Sequence, residues 1–314
     1  MQRDFCHFPY AVPVIFFIRQ AGIQCSLLIF DCMIQYHSIN GQLVPAASAA
    51  LQVNDLSILR GYGIFDFFGV LSGVPLFFDD YLDRFFRSAG ILGLKLPFDR
   101  PQVIGAVHDV IRANDMSDGY IRLEVTGGYS PDGYKPGTAN WMVLGAHPPK
   151  PSDKQYVDGI HLMLYPHQRE LPEAKSINYL TGIFLLPMLA EKGADAVLYH
   201  DNGWVRESDR SNFFIVTRAG VLVTPREKIL AGITRKKVLD LAGPLMATEI
   251  REIAVEELKE AEEAFITSTI KGVLPVSRID NRPVGDGRPG PVSRDLGLRF
   301  SELTRNYILQ TTQV

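Results

Sequence analysis

The stretch Glu173-Ala174-Lys175-Ser176-Ile177-Asn178-Tyr179-Leu180 sets a lysine just ahead of an apolar run from Thr181 to Ala190. An ammonium at the mouth of an apolar segment loses hydration, which disfavours its charged form and leaves a nucleophilic amine. A lysine beginning a helix is by itself more often a solvated one, so the reading depends on what surrounds it.

Downstream, three features suit such an amine. Glu207 lies in Val205-Arg206-Glu207-Ser208-Asp209-Arg210-Ser211-Asn212-Phe213, which reads as a polar turn between two apolar strands. Gly232-Ile233-Thr234 opens a helix, with a glycine for close approach and a hydroxyl beside free backbone N–H groups, a cradle for phosphate. Ser268 and Thr269 follow the apolar strand Ala264 to Thr267 and add hydroxyls. An amine for a Schiff base, a carboxylate for a ring nitrogen and a helix end for a phosphate are what pyridoxal phosphate requires.

The frame around these residues is that of an ordinary globular protein. A chain of 314 residues is long for one core and suggests two domains. With 46% hydrophobic and 21% charged residues and a net charge of -3, it offers no electrostatic case for nucleic acid or an anionic membrane. All three cysteines, Cys6, Cys25 and Cys32, fall in the first 32 residues. That argues against a disulfide framework, a cysteine nucleophile or a metal site in the main body. The apolar runs at 12–18 and 26–30 are too short to span a bilayer, and no clean signal-peptide cleavage site follows them. Residues 1–32 are therefore expected to be an extension outside the globular body.

From Met33 the chain alternates elements. Asn40-Gly41 marks a hairpin within 34–44. A strand follows Gly61, helices cover 77–94 and 101–113, and strands cover 120–126 and 141–144. Pro148-Pro149-Lys150-Pro151 reads as a linker. Beyond it, 160–165 is a strand, 181–192 a buried helix kinked by Pro187, and 256–263 an acidic solvated helix. Strands at 196–200 and 213–217 are expected around an Asn202-Gly203 hairpin, with a helix opening at Gly232. The result is an α+β chain: an extension (1–32), a small N-terminal domain (33–147), a linker (148–159) and a large domain (160–314).

Taken together, Lys175 to Leu180, Val205-Arg206-Glu207 with Ser211-Asn212-Phe213, Ala231 to Arg235 and Phe265 to Thr269 resemble the class IV aminotransferases. These are the fold-type IV pyridoxal phosphate enzymes, including branched-chain and D-amino-acid aminotransferases. Upstream, Ile39-Asn40-Gly41 with Val44-Pro45 and Tyr81-Leu82-Asp83-Arg84 with Arg87-Ser88-Ala89 extend the likeness over roughly residues 33–300.

The resemblance implies a small α/β domain followed by a larger, β-barrel-like domain with helices, and a cytoplasmic homodimer. It implies transamination between an amino acid (or amine) and a 2-oxo acid with pyridoxal 5'-phosphate. An alternative within the family is a lyase of the aminodeoxychorismate lyase type. Lys175 would form the internal aldimine and carry the proton between Cα and C4′. Arg84, Gly232, Ile233, Thr234 and Thr269 would hold the phosphate, Glu207 would pair with the ring nitrogen, and Tyr179 would stand near the phenolic oxygen. Substrate contacts would come from Arg60, Phe65, Tyr120 and Arg122. The pocket departs from its relatives' patterns at Arg60, at Phe67 in place of glycine, and at Gly127 in place of an arginine. Arg60 and Arg122 together would grip a second substrate carboxylate. The segment 127–137 is the expected loop over a neighbouring subunit's pocket.

Overall fold

The computed structural model describes residues 34–312. The expected extension at 1–32 lies outside the described residues. Contacts divide the chain into Met1–Met33 and Ile34–Val314, and the second unit carries the fold. Among the described residues no helix is long and apolar enough to cross a membrane.

The first half runs β1 (Tyr36–Ile39), β2 (Gln42–Pro45), α1 (Leu56–Arg60), β3 (Gly63–Leu71), β4 (Val74–Pro75), α2 (Phe78–Leu92), α3 (Arg100–Ala113), β5 (Gly119–Thr126) and β6 (Trp141–Ala146). Its six strands form one sheet in the order β2-β1-β6-β5-β3-β4. Asn40 and Gly41 take φ of 52° and 81°, the backbone a two-residue hairpin needs, and fix the register Ile39 to Gln42. Helix α3 starts on a capping box, Asp99 and Gln102 exchanging side chain-to-backbone bonds. Phe68, Leu82, Phe85 and Ile121 are fully buried between sheet and helices. Each contributes about 1.5–3 kcal/mol of hydrophobic stabilisation.

The second half runs α4 (Asp153–Asp158), β7 (Ile160–Pro166), α5 (Leu180–Phe184), α6 (Leu186–Lys192), β8 (Ala196–Asp201), β9 (Trp204–Ser208), β10 (Asn212–Thr217), β11 (Leu222–Thr224), α7 (Ile233–Ala242), β12 (Thr248–Ile250), β13 (Ile253–Ala254), β14 (Ala261–Ser268), β15 (Gly272–Ile279), β16 (Arg282–Pro283) and α8 (Pro291–Thr311). Nine strands follow the order β12-β11-β10-β14-β15-β7-β8-β9-β13, with β16 paired to β15. The two edge strands β12 and β13 are separated by only Arg251 and Glu252. So short a link spans roughly 10 Å, which forces the two edges together and curls the sheet into a barrel-like wall. Its interior is filled by Leu162, Leu198, Phe213 and Ile266, and its outer face is covered by α7 and α8.

Four local readings change. The run 181–192 is two short helices broken at Leu185, because Pro187 sits in the first turn of α6. It is largely exposed rather than buried: Leu180, Ile183, Phe184 and Leu186 all face out. Residues 255–259 form a 3-10 turn, and the acidic run beyond them enters β14. Pairing to β10 and β15 on both sides overrides the local charge there. Glu263 stays buried because its carboxylate caps α8 through the Val292 and Ser293 N–H groups. The Asn202-Gly203 turn joins β8 to β9, not to β10, which places Glu207 inside a strand rather than in a turn. Helix α4, finally, forms within the expected linker.

Candidate active site

Lys175 is held by pairing that its sequence does not announce. The Phe65 N–H donates to the Lys175 carbonyl at 2.9 Å and the Ile177 N–H to the Gly63 carbonyl at 3.1 Å. The segment thus lies as a short extra strand along β3. Gly63 has no room for a Cβ there, which would fall 2.6 Å from the Val125 carbonyl oxygen. The Lys175 Nζ stands 4.4 Å from the centre of the Phe65 ring. Among the described residues it has no carboxylate oxygen within 4.0 Å. Burial, helped by the Arg84 charge, brings its amine down from 10.5 to about 7.

Glu207 enters the same cleft from β9. Its Oε1 accepts from Arg169 Nε at 2.9 Å and Nη2 at 2.7 Å, and its Oε2 from the Leu230 N–H at 3.0 Å. Burial pushes this carboxyl up, against the pull of Arg169 and the Leu230 N–H. Arg84, on α2, grips Asp66 of β3 through Nε at 2.9 Å and Nη2 at 2.6 Å, with both side chains buried. Burial opposes the Arg84 charge, but the Asp66 carboxylate more than offsets it and keeps the guanidinium strongly basic. Tyr179 is pushed up to about 12 by burial and so remains a neutral phenol.

The cleft bounded by Arg84, Lys175, Glu207, Thr234 and Thr269 is small, about 50 Å3. Its polar groups suit a phosphorylated aromatic ring. The first turn of α7 has no side-chain cap, so its N–H groups are free. Among the described residues, the buried Thr267 Oγ1 has no hydrogen-bond partner. A Cβ at Gly232 would fall 2.0 Å from Asn212 Oδ1, and Asn212 is itself held to the Leu230 carbonyl at 2.7 Å. Gly232→Ala is therefore expected to cost about 1–3 kcal/mol and to loosen the helix end. Thermal unfolding together with phosphate-ester binding checks this.

In front of Lys175 opens a second cavity of about 620 Å3, lined by Phe65, Arg122, Tyr179 and Lys271 among others. The structure therefore brings together Lys175, Tyr179, Glu207, Gly232, Ile233, Thr234, Thr269 and Arg84 in one cleft, with Phe65 and Arg122 beside it. Arg122 lies 4.0 Å over the Phe65 ring and pairs with Glu124 at 2.5 Å. Tyr120 stands behind, stacked on Phe67 at 5.2 Å, and does not line the cavity. Arg60 is on the surface at the end of α1, its guanidinium donating to the Leu59 carbonyl, and it is not brought to Arg122.

Two residues of the site carry no signal in the sequence reading. Arg169, three residues past the end of β7, meets Glu207 of β9 across 38 positions, a contact that the sheet makes by placing both strands on either side of β8. Lys271 lies two positions after Thr269, so the adjoining hydroxyl motif is the one available pointer to it. Burial brings its amine down to about 8, and it donates to Ser211 Oγ at 3.0 Å.

Comparison with known proteins agrees with this geometry. The family model described as amino-transferase class IV matches residues 63–279. A putative branched-chain-amino-acid aminotransferase of Methanocaldococcus jannaschii is 31% identical over 282 residues, covering 86% of this chain and 96% of the relative. A D-alanine aminotransferase of Bacillus licheniformis is 28% identical, covering 82% and 93%. Among solved structures, the branched-chain amino acid aminotransferase from Escherichia coli superposes with a TM-score of 0.79 at 26% identity, over 87% of this chain and 95% of that one. The small sheet lobe, the curled barrel-like sheet and the cleft between them are those of a fold-type IV enzyme, and the chain belongs to the class IV aminotransferases.

Proposed function

We propose that this aminotransferase moves an amino group between an amino acid and a 2-oxo acid, using pyridoxal 5'-phosphate seated in the cleft of Lys175. The observation that carries this is a buried amine brought down to about 7, without a carboxylate partner, beside Glu207 and an uncapped helix end. The cofactor, when bound, supplies an electron sink for the charge left at the substrate Cα.

The remaining chemistry falls to the chain itself. The neutral Lys175 amine takes a proton at the substrate Cα and returns it, which requires it to be unprotonated part of the time. Glu207, fixed by Arg169 and the Leu230 N–H, presents a carboxylate at the position for a ring N–H. Arg84, aligned by Asp66, supplies charge for the phosphate, and Ile233, Thr234 and Thr269 supply N–H and hydroxyl donors. Tyr179 offers its hydroxyl near the ring edge. Phe65 and Arg122 form the wall that meets the substrate, with Arg122 as its cation and Tyr120 backing it through Phe67.

A half-reaction tests the reading. With an amino acid alone, the cofactor absorbance of the protein should shift once and stop at one equivalent of 2-oxo acid. Continuous turnover without an acceptor would instead indicate a lyase, whereas the relatives described above are named as aminotransferases.

A homodimer is part of the same reading. Leu180 and Phe184 are 75% and 69% exposed, and with Ile183 and Leu186 they form an apolar face on α5 and α6. Phe184→Glu is expected to convert a dimer in sedimentation analysis into a monomer. A cytoplasmic site and a linker function for 148–159 complete the proposal, supported by cysteines confined to the first 32 residues and by the proline run at 148–151.

A further inference from the structure

Thr234 and Thr269 also stand in the wall of a separate cavity of about 730 Å3, which Lys175 does not line. It opens between α2, the start of β15 and α8. Its apolar wall includes Phe77 and Phe300, whose rings lie 6.2 Å apart. Four cations line it and no aspartate or glutamate does: Arg294 and Arg305 belong to this cavity alone, while Lys150 and Lys271 stand on the wall it shares with the cavity in front of Lys175.

None of the four has a carboxylate oxygen within 4.0 Å among the described residues. Lys150 meets only the Tyr120 ring at 5.9 Å, and Lys271 only the Ser211 hydroxyl. The contrast with the neighbouring surface is sharp. On the same helix Arg299 pairs with Asp295, and on α7 Lys236 and Lys237 both pair with Asp80. In a chain with 35 acidic and 32 basic residues, four cations without an ion-pair partner around one concavity raise its positive potential, which an anionic ligand would lower.

Arg294 and Arg305 are eleven positions apart, three turns of α8, so both side chains leave the same face of the helix. The lysines stand on the strand side, Lys271 in the turn between β14 and β15, where the Tyr156 hydroxyl donates to its carbonyl at 2.9 Å. The volume lies in the range of sites for drug-sized molecules. We infer that this cavity is a binding site for a small amphipathic anion, an apolar body carrying a phosphate or carboxylate. Its body would lie along Phe77 and Phe300, and its charge would be met by Arg294, Arg305, Lys150 and Lys271. An occupant there touches the Thr234 and Thr269 segments without entering the cleft of Lys175.

Calorimetric titration of the cofactor-saturated protein tests this, with phenyl phosphate and phenylacetate as probes and inorganic phosphate as the reference. Saturable binding of at least one aromatic probe is expected, at least about tenfold tighter than inorganic phosphate, with cofactor absorbance unchanged. Which probe binds better distinguishes a phosphate from a carboxylate ligand. The double variant Arg294→Ala/Arg305→Ala should weaken that probe at least about tenfold and leave the transamination rate unchanged, while Arg294→Lys/Arg305→Lys should retain most of the binding. Absence of saturable binding, parity with inorganic phosphate, or unchanged affinity in the alanine variant would overturn the inference. The heat of binding needs no turnover, so it is read independently of the catalytic assignment.

Discussion

Lys175→Ala is expected to lower the transamination rate by roughly 10³- to 10⁴-fold, because one side chain serves both as the attacking amine and as the proton carrier at Cα. The same variant should release its cofactor on extended dialysis, whereas the parent is expected to retain it. Turnover with an amino acid and a 2-oxo acid, measured beside retained cofactor absorbance, checks both. A variant keeping more than about a tenth of the parent rate would assign the proton transfer to another group.

The pH dependence follows from the direction of the shift. Lys175 is unprotonated above about pH 7, so the rate at which the cofactor-free chain captures pyridoxal 5'-phosphate should rise with pH across that point, as followed by cofactor absorbance. Stability carries the matching sign. An unfolded lysine holds its proton up to about 10.4, whereas the folded one gives it up near 7. Between those values the unfolded chain binds more protons, so stability rises with pH and the penalty is full below 7. Replacing Lys175 by methionine removes that penalty. After allowance for residual solvation it should stabilise the cofactor-free chain by on the order of 2 kcal/mol at pH 7, with the gain shrinking toward pH 10. Unfolding curves at pH 6, 8 and 10 read this directly.

Glu207 is the second test, and its effect divides between chemistry and stability. Glu207→Gln keeps the shape but removes the charge that faces both Arg169 and the ring position. A fall in kcat of about 10²- to 10³-fold is expected, with a smaller change in KM. Glu207→Ala in addition leaves Arg169 buried without its partner, since the pair is only 12% and 6% exposed. Breaking a buried pair from one side costs about 3–5 kcal/mol, more than removing both partners. Denaturant unfolding of Glu207→Ala, Arg169→Ala and the double variant should therefore show strong non-additivity. Additive losses would mean that the two side chains act independently.

The residues of the cleft are legible in the sequence where a short motif sets the local backbone. Gly232-Ile233-Thr234 begins α7 with Gly232 as its extended N-cap, and Asn40-Gly41 turns a hairpin by its own positive φ values. Other readings fail where the deciding contact is distant. The hydrophilic run Ser208 to Ser211 suggests a polar turn for Glu207, yet β8 and β13 pair with its strand on both sides and hold it extended. The apolar 181–190 run reads as buried because hydrophobicity alone does not say which apolar side chains the fold covers, and Ile183, Phe184 and Leu186 are left exposed. Arg60 and Arg122 both stand on the sequence as candidate cations. The sheet carries Arg122 to the Phe65 ring and leaves Arg60 on the surface.

By itself, then, the sequence named candidates for the amine, the ring-side carboxylate and the phosphate end, through residue type and through the resemblance of its motifs to those of the class IV aminotransferases. Only the tertiary structure decided how these groups are tuned. The fall of Lys175 to about 7 comes from burial and from Arg84, 91 positions upstream, and the fixing of Glu207 comes from Arg169 on another strand's end. Desolvation and charge act through space, over distances that chain order does not encode.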